Sequence, residues 1–280
     1  LAIVIEPSLD GMEADLVASL NIGRRFVVVA DVHTQPALGD RIVRALSAQS
    51  IILHDGVVAE EDTIAKVAAA GEPEVEVVVA VCAVTVNDIC KSVALRRGCP
   101  QIVFATAPSM NGYTSVSASL TERGFKRSVR AITPTAAFFD LRVLAAAPPR
   151  LIRAGLGDSI ARPTAQADWL LQHLILGRPY REAPFAMLAA DEAALLDGAA
   201  ALVAGDLGVM RALVRTLVLS GFGMTLCGGS FPASQGEHLI SHYVELMAPS
   251  IPHTFHGEQI GVASLAMARL QDRILHLDAP

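Results

Sequence analysis

The sequence predicts an α/β domain built on a parallel, Rossmann-like sheet, followed by an all-α domain. In the first half of the 280-residue chain, short β-branched runs alternate with helical segments, which is the pattern of a doubly wound sheet. From residue 150 onward the helical period continues and no convincing strand follows. We place the boundary near Ala147, with a sheet domain at 1–147 and a helical domain at 148–280.

The elements follow in order from the first β-branched run, RFVVVA, which ends at Asp31. Predicted strands lie at 25–30, 51–54, 75–81, 101–105 and 136–141, and the helices between them at 37–47, 60–70 and 86–97. In the second domain, helices are predicted near 150–156, 159–176, 191–204, 206–220, 235–248 and 257–275. Ligands of such sheets bind beyond the carboxyl ends of the strands, so chemistry is expected in the loops there.

The composition limits the possible partners. Hydrophobic residues make up 52% of the chain and the mean hydropathy is +0.45, but no run approaches the ~18 apolar residues of a membrane span. We therefore predict no membrane span, and we assign the apolar excess to a buried sheet and to the subunit interface of a homo-oligomer. The net charge of −6 and the pI of about 5.7 offer no basic surface for nucleic acid.

The cysteines indicate the compartment. None is part of a CxxC pair, which argues against a disulfide framework and against a structural zinc cluster. The four cysteines are Cys82, Cys90, Cys99 and Cys227. We therefore expect a reducing, cytoplasmic setting.

Two loops after predicted strands carry polar side chains. Asp31 ends the first strand, where an acidic residue can hold a ribose hydroxyl, although helix capping or solvent exposure explains it equally well. Thr85, Asn87 and Asp88 begin the helix after strand 75–81 and form a potential anion site. A phosphate loop normally has glycine at this point, and this segment has none.

A third loop, ATAPSMNGYTS at 105–115, follows the strand 101–105 and is rich in hydroxyl groups. Its Asn-Gly pair is a turn signal. Four of its side chains can line a polar pocket, with solvation of a surface loop as the alternative. They are Thr106, Ser109, Asn111 and Ser115.

The segment GEHLISH places His238 and His242 four residues apart, so that on a helix both imidazoles lie on one face. His256 opens the next helical segment after a turn predicted at 249–252, and it can return to the first two. Three converging histidines suggest a metal or substrate site, although single histidines more often satisfy a core hydrogen bond. The order is not the HExxH of zinc proteases, because Glu237 precedes His238.

Asp158 follows Gly-Leu-Gly in the segment 155–169, and we predict that it begins a helix. Two roles are open for it. It can be an N-cap, which is a common duty of aspartate, or a carboxylate ligand that joins His238 and His256. One carboxylate and two imidazoles with open positions suit a catalytic Zn²⁺ or a non-haem Fe²⁺.

Three motifs together resemble the sn-glycerol-1-phosphate dehydrogenases, in the superfamily of the metal-dependent glycerol dehydrogenases and dehydroquinate synthases. They are GLGDSIARPTAQADW, GGSFPASQGEHLISHY and HGEQIGV, within a similarity that runs from about Val75 to Ala268. The resemblance implies a dehydroquinate synthase-like fold, with an N-terminal nucleotide-binding domain, a C-terminal metal- and substrate-binding domain and an active site in the cleft between them. It also implies reduction of dihydroxyacetone phosphate, a small phosphorylated three-carbon substrate, to sn-glycerol 1-phosphate in phospholipid metabolism, with NAD(H) or NADP(H) and with Zn²⁺, Fe²⁺ or Ni²⁺.

The resemblance also assigns the residues. The metal ligands it implies are Asp158, His238 and His256, which together with His242 form the catalytic group. The substrate contacts it implies are Asn111, Asp158 and His242. The cofactor contacts it implies are Thr106, Ser109 and Ser115, with Asp31 near the adenosine ribose. To these we add Thr85 and Asp88 from the helix start after strand 75–81.

The chain departs from the family at two positions. In place of a glycine-rich GSGT-type loop it has Cys82, Ala83, Val84 and Thr85, and the added side chains are expected to weaken pyrophosphate binding. The family's Asp in DGYTS is Asn111 here, which removes a charge from the substrate pocket.

These departures leave alternatives open. One is a glycerol dehydrogenase-like enzyme for another small polyol, and another is a non-catalytic metal-bearing protein that binds a phosphorylated ligand. A lyase of the dehydroquinate-synthase kind is disfavoured by the GEHLISH and GDSIARPTAQADW motifs. Lys126 and Arg127 are candidate phosphate contacts, with a solvated charged turn as the alternative.

Overall fold

The computed structural model describes residues 1–248 and 254–277. The chain divides into two compact units. The sheet unit comprises residues 1–108 and 112–147, and the helical unit comprises residues 109–111 with the described residues after 147. A parallel sheet followed by a set of helices confirms the predicted fold class.

The sheet unit is built from short strands and helices in alternation. Its strands are β1 (Ala2–Glu6), β2 (Phe26–Asp31), β3 (Gln49–Leu53), β4 (Val77–Cys82), β5 (Gln101–Ala105), β6 (Ser117–Glu122), β7 (Phe125–Arg130) and β8 (Ala136–Asp140). Its helices are α1 (Glu13–Ser19), α2 (Asp40–Leu46) after a π-helical turn at Gln35–Gly39, α3 (Glu61–Ala70), α4 (Val84–Arg97) and α5 (Leu141–Ala145).

Six strands form one parallel sheet in the order β1-β8-β5-β4-β2-β3. The chain runs from β2 outward to β3 and then returns to the other side of β2 to form β4. This reversal creates a topological switch point between β2 and β4, which is where open α/β sheets bind ligands. The strands at the switch point end at Asp31 and Cys82. Every residue of β4 and β5 is buried, so these two strands form the centre of the core.

Three strands of the sheet unit, β1 and the pair β6 and β7, were not predicted. β1 joins the sheet edge beside β8, which lies far away in sequence. The antiparallel hairpin of β6 and β7 lies outside the main sheet. Most of β7 is exposed and it carries three basic residues, so it lacks the alternation of apolar residues that identifies a half-buried strand. The pairing of such an exposed strand is determined by the turn before it and by tertiary contacts, not by an apolar pattern.

The helical unit consists of helices alone among its described residues. They are α6 (Pro149–Ser159), α7 (Arg162–Leu176), α8 (Ala183–Ala186), α9 (Ala189–Asp197), α10 (Ala199–Val203), α11 (Leu207–Cys227), α12 (Gly236–Met247) and α13 (His256–Leu275). The turn predicted at 249–252 lies outside the described residues.

The predicted position of Asp158 at the start of a helix is wrong. Asp158 is the next-to-last residue of α6, and Gly155 and Gly157 are buried inside that helix. These glycines do not form a flexible lead-in, and Gly157 lies where α13 crosses the helix. The N-cap role for Asp158 is therefore excluded.

Helix α11 is long and apolar enough to cross a membrane by length and composition. It packs against α6, α8, α9 and α10, and 56% of its most apolar stretch is buried inside the protein. Met210, Leu213 and Leu217 are almost wholly enclosed. In this structure α11 is the core helix of the helical unit.

Candidate metal centre

Three side chains from three helices meet in the helical unit. Asp158 comes from the end of α6, His238 from the first turn of α12, and His256 is the first residue of α13. One ligand atom from each lies within 4.8 Å of the other two. The two Nε2 atoms of the histidines are 3.2 Å apart, and Oδ1 of Asp158 lies 3.9 Å from Nε2 of His256.

Glycines bring two of these ligands together. A Cβ on Gly157 would overlap the carbonyl oxygen of Gly257, and a Cβ on Gly257 would overlap the carbonyl oxygen of Ala154. Helices α6 and α13 can therefore cross backbone to backbone only because both positions lack a side chain. Asp158 and His256 are the chain neighbours of these glycines, so the crossing sets their separation.

The half-buried carboxylate of Asp168 fixes the start of α12, the third helix of the cluster. Oδ2 of Asp168, on α7, accepts the backbone N–H of Gly236 at 3.1 Å, and Oδ1 accepts from the side-chain amide of Gln271 at 2.7 Å. This contact satisfies one of the N–H groups that a helix start leaves without an intrahelical partner. Asp168 thus connects α7, α12 and α13 and holds the turn that carries His238.

The atoms that face the cluster fit a divalent metal ion. Asp158 is 3% exposed, its Oδ2 accepts the backbone N–H of Asn111 at 3.2 Å, and its Oδ1 has no hydrogen-bond donor among the described residues. Buried polar atoms are rarely left unpaired, and an unpaired carboxylate oxygen beside two imidazoles fits a bound cation. Ligands at 2.0–2.1 Å from a tetrahedral Zn²⁺ lie about 3.3 Å apart, close to the separation of the two Nε2 atoms.

His238 is held in the tautomer that a metal requires. Its Nδ1 lies 2.8 Å from Oε1 of Glu237. An ionised carboxylate can only accept, so Nδ1 carries the proton and the lone pair is on Nε2, which faces His256. The side chain of His256 is 38% exposed, so the cluster is open to solvent on that side.

Two predicted substrate residues lie next to the cluster. His242 is exposed on α12, one turn after His238, with the two ring centres 6.4 Å apart. The side-chain amide of Asn111 donates to Oγ of Ser220 at 3.4 Å, while its backbone binds Asp158. The structure thus brings all four residues of the predicted catalytic group, and Asn111, into one part of the helical unit.

The predicted cofactor residues are placed in different surroundings. At the switch point, Asp31 accepts the backbone N–H groups of His33 and Thr34 through Oδ1, so it caps the turn after β2. Thr106 is buried directly after β5. Ser109 belongs to the helical unit and is 4% exposed, and its Oγ has no partner among the described residues.

Asp88 and Ser115 belong to a buried network around Lys91. Nζ of Lys91, which is 0% exposed, donates to the carbonyl oxygens of Gly112, Ser115 and Ser117 at 2.6–3.1 Å and to Oγ of Ser115 at 3.1 Å. A carboxylate oxygen of Asp88 accepts the N–H of Ser119. These groups attach the segment 112–119 to α4.

Burial changes the acidity of this network. It raises the pKa of Asp88 to about 6, an effect that nearby Lys91 partly opposes. It lowers the pKa of Lys91 to about 8, partly offset by Asp88. Lys91 was not predicted as important; the signal was available in the sequence as an Asp and a Lys three residues apart, which share a helix face.

The turn between β4 and α4 is the place where a nucleotide pyrophosphate would bind. No side chain caps the N-terminus of α4, so the N–H groups of its first turn are left for an anion. Ala83, Val84 and Thr85 are partly exposed there, while Cys82 is 0% exposed. The expectation that the Cys82 side chain obstructs a phosphate is therefore wrong, because that side chain is enclosed in the sheet. Ala83 and Val84 remain as added bulk.

A family model matches the first half of the chain. The sequence model of the iron-containing alcohol dehydrogenases matches residues 4–148 of the 280. The chain belongs to the iron-containing alcohol dehydrogenase family. The match supports the resemblance drawn from the motifs.

Individual relatives point to one branch. The glycerol-1-phosphate dehydrogenase [NAD(P)+] of Geobacillus thermodenitrificans is 32% identical over 262 residues, covering 90% of this chain and 65% of the relative. The enzyme of the same name from Pyrococcus furiosus is 31% identical over 90% of this chain and 75% of its own length. The chain thus spans about two thirds of the length of these relatives. The recognised resemblance to the sn-glycerol-1-phosphate dehydrogenases is confirmed.

Solved structures confirm the fold. Glycerol dehydrogenase from Schizosaccharomyces pombe superposes with a TM-score of 0.80 at 18% identity, over 97% of this chain and 70% of that one. A 2-deoxy-scyllo-inosose synthase superposes with a TM-score of 0.68 at 14% identity, over 99% of this chain and 75% of that one. At these identities the likeness is one of fold.

Proposed function

We propose that the protein is a metal-dependent NAD(P)H oxidoreductase that reduces dihydroxyacetone phosphate to sn-glycerol 1-phosphate. The observation that carries this proposal is the meeting of Asp158, His238 and His256 within 4.8 Å, with a buried oxygen of Asp158 left without a donor among the described residues. The names of the relatives indicate the substrate and the nicotinamide cofactor.

The protein's own groups hold the reacting atoms. Asp158, His238 and His256 would bind the ion, and the N–H of Asn111 holds one carboxylate oxygen of Asp158 so that the other faces the imidazoles. When bound, the ion supplies Lewis-acid polarisation of the ketone and the reduced nicotinamide supplies hydride. His242, exposed one turn from His238, is the group that holds the substrate or gives it a proton.

The cofactor would use the switch point of the sheet. We assign its pyrophosphate to the uncapped N-terminus of α4, where Thr85 lies, and its ribose to Asp31. Thr106 and Ser109 are further proposed contacts. Asp88 and Ser115 would act by holding the loop, since both are almost wholly buried in the Lys91 network.

The candidate contacts for the substrate phosphate have weaker support than the metal ligands. Lys126 and Arg127 lie on the exposed strand β7, and Arg127 forms an ion pair with Glu122 at 3.3 Å. This arrangement favours the solvated-hairpin interpretation over a phosphate site.

A substrate screen tests the proposal. Metal-loaded protein is assayed with dihydroxyacetone phosphate, dihydroxyacetone and glycerol, each with NAD(H) and NADP(H), before and after chelation. We expect dihydroxyacetone phosphate to be reduced with a higher kcat/KM than dihydroxyacetone, because a remote phosphate adds binding energy that orients the ketone. Chelation should abolish both activities. Equal efficiency with the two ketones would identify a glycerol dehydrogenase-like enzyme instead.

One observation favours a second candidate function. Ala83 and Val84 occupy the turn where a glycine-rich loop would approach a pyrophosphate, so a protein that binds metal and a phosphorylated ligand without turnover is the alternative. Metal binding with no detectable NADH or NADPH binding would support it.

A cytoplasmic location and a homo-oligomeric state complete the proposal. Light scattering of the purified protein tests the oligomeric state.

A further inference from the structure

Glu237 is buried beside the metal cluster and lacks a full set of partners. It is 0% exposed. Its Oε1 accepts the backbone N–H of Gln235 at 2.9 Å and lies 2.8 Å from Nδ1 of His238. Its Oε2 has no hydrogen-bond partner among the described residues. A buried carboxylate with one oxygen unsatisfied is costly unless a positive charge lies nearby.

Local structure explains only part of this arrangement. Glu237 lies in the first turn of α12, where the helix dipole favours a negative charge. The bond to Gln235 secures the entry to the helix. Neither contact requires the carboxylate to reach the ring of the next residue, since consecutive residues on a helix do not face each other. The contact with His238 is therefore the informative one.

We propose that Glu237 is a positioning residue of the metal centre. Its hydrogen bond keeps the proton of His238 on Nδ1, so that the Nε2 lone pair is directed at the ion, and its charge offsets part of the ion's charge. This inference rests on the metal-binding part of the proposed function. Carboxylates that hold a metal-bound imidazole in this way increase metal affinity by about 10- to 100-fold.

The first experiment measures metal binding rather than turnover. Apo-protein is prepared by chelation, and the dissociation constant for Zn²⁺ is measured by competition with a chromogenic chelator for the wild type, Glu237→Gln, Glu237→Ala and Glu245→Gln. Glu245 lies on the same helix about two turns later and serves as the matched control. We expect the Zn²⁺ dissociation constant to rise about 10-fold in Glu237→Gln, which still accepts from Nδ1, and more in Glu237→Ala.

Cobalt reports the geometry of the site. The visible spectrum of the Co²⁺-loaded protein should change in both Glu237 variants and stay constant in Glu245→Gln. A residue that served only to cap α12 would lower the melting temperature without changing the Zn²⁺ affinity of the folded protein. Wild-type affinity in folded Glu237→Gln and Glu237→Ala would therefore overturn the inference.

A measurement on the metal-free protein separates this inference from the proposed function. With ¹⁵N-labelled histidine, NMR should show His238 protonated on Nδ1 in the wild type and in Glu237→Gln, and a mixture of tautomers in Glu237→Ala. If the wild type binds no Zn²⁺, the metal-dependent function fails while the tautomer still tests Glu237. An unchanged tautomer in Glu237→Ala would refute its positioning role.

Discussion

The metal centre of the helical unit and the Lys91 network of the sheet unit both bury charged groups, but they use them differently. At the metal centre, Oδ1 of Asp158 and Oε2 of Glu237 are enclosed without a donor among the described residues. In the Lys91 network, one ammonium group donates to several acceptors and Asp88 accepts a backbone N–H. Unsatisfied oxygens that lie beside other ligand atoms fit a bound ion, whereas a network whose groups are satisfied by the protein serves the structure.

The strongest test of this comparison is Gly257→Ala. The new methyl group would overlap the carbonyl oxygen of Ala154, so α13 must move away from α6. We expect Zn²⁺ binding to be lost, because Asp158 and His256 separate, and the free energy of unfolding to fall by about 3 kcal/mol. Metal analysis and urea unfolding measure the two effects.

Gly177→Ala is the control for this prediction. Gly177 ends α7 with φ +64° and has open space around its missing Cβ. Alanine there should cost about 1 kcal/mol for the left-handed backbone and leave Zn²⁺ binding intact. If Gly257→Ala binds Zn²⁺ as well as Gly177→Ala does, the close helix crossing does not define the site.

Lys91→Met tests the other half of the comparison. It removes the only ammonium donor of the network and leaves the carbonyl oxygens of Gly112, Ser115 and Ser117 without it, so we expect a loss of about 2 to 3 kcal/mol in the free energy of unfolding. Hydrogen exchange should quicken in the segment 112–119. Zn²⁺ affinity should not change, and the exposed Lys66→Met should change nothing. Loss of Zn²⁺ affinity in Lys91→Met would mean that the network is not purely structural.

The sheet was predictable because its strands carry their signal in their own sequence. β4 and β5 are buried throughout and read as apolar runs. The hairpin of β6 and β7 carries no such signal, since its second strand is mostly exposed. Gly157 shows the limit most clearly. In the sequence it predicts a flexible lead-in, and in the structure it is a contact point with Gly257, which lies 100 residues away.

The metal site was predictable only where its residues form a local pattern in the sequence. The spacing of His238 and His242 indicated a shared helix face. The imidazole that approaches His238 is nevertheless that of His256, with 3.2 Å between the two Nε2 atoms. His256 was predicted to return to this pair, but no local pattern decided between the two roles left open for Asp158 on the distant helix α6. The cofactor residues came from loop positions after strands and from the resemblance, and neither tells a contact with a ligand from a contact within the protein. Asp88 and Ser115 are held within the protein.

The pH dependence of stability gives a smaller test of the Lys91 network. Burial raises the pKa of Asp88 to about 6, so the folded protein binds a proton there more readily than the unfolded chain does. The stability contributed by this proton is present below pH ~4 and is lost as the pH rises through ~6. Between these values the wild type should lose about 2 kcal/mol relative to Asp88→Asn. Parallel urea-unfolding profiles for the two proteins would contradict the burial argument.

The smallest effect, a change in NADH affinity, is expected at the turn between β4 and α4. Val84 begins α4 and is partly exposed at the uncapped N-terminus to which the proposed function assigns the pyrophosphate, so its side chain adds bulk beside the backbone N–H groups. Val84→Gly should lower the dissociation constant for NADH about 3- to 10-fold, which corresponds to roughly 1 kcal/mol. Fluorescence titration of NADH measures it.

Cys82→Gly is the matched control, because Cys82 lies two residues before Val84, at the end of β4, and is wholly enclosed in the sheet. Its removal should leave a small cavity and lower the melting temperature, without tightening NADH binding. Unchanged affinity in a folded Val84→Gly variant would show that the turn does not receive the pyrophosphate, or that its backbone is already accessible. Tighter binding in Cys82→Gly than in Val84→Gly would mean that backbone freedom, rather than side-chain bulk, limits how closely the phosphate approaches.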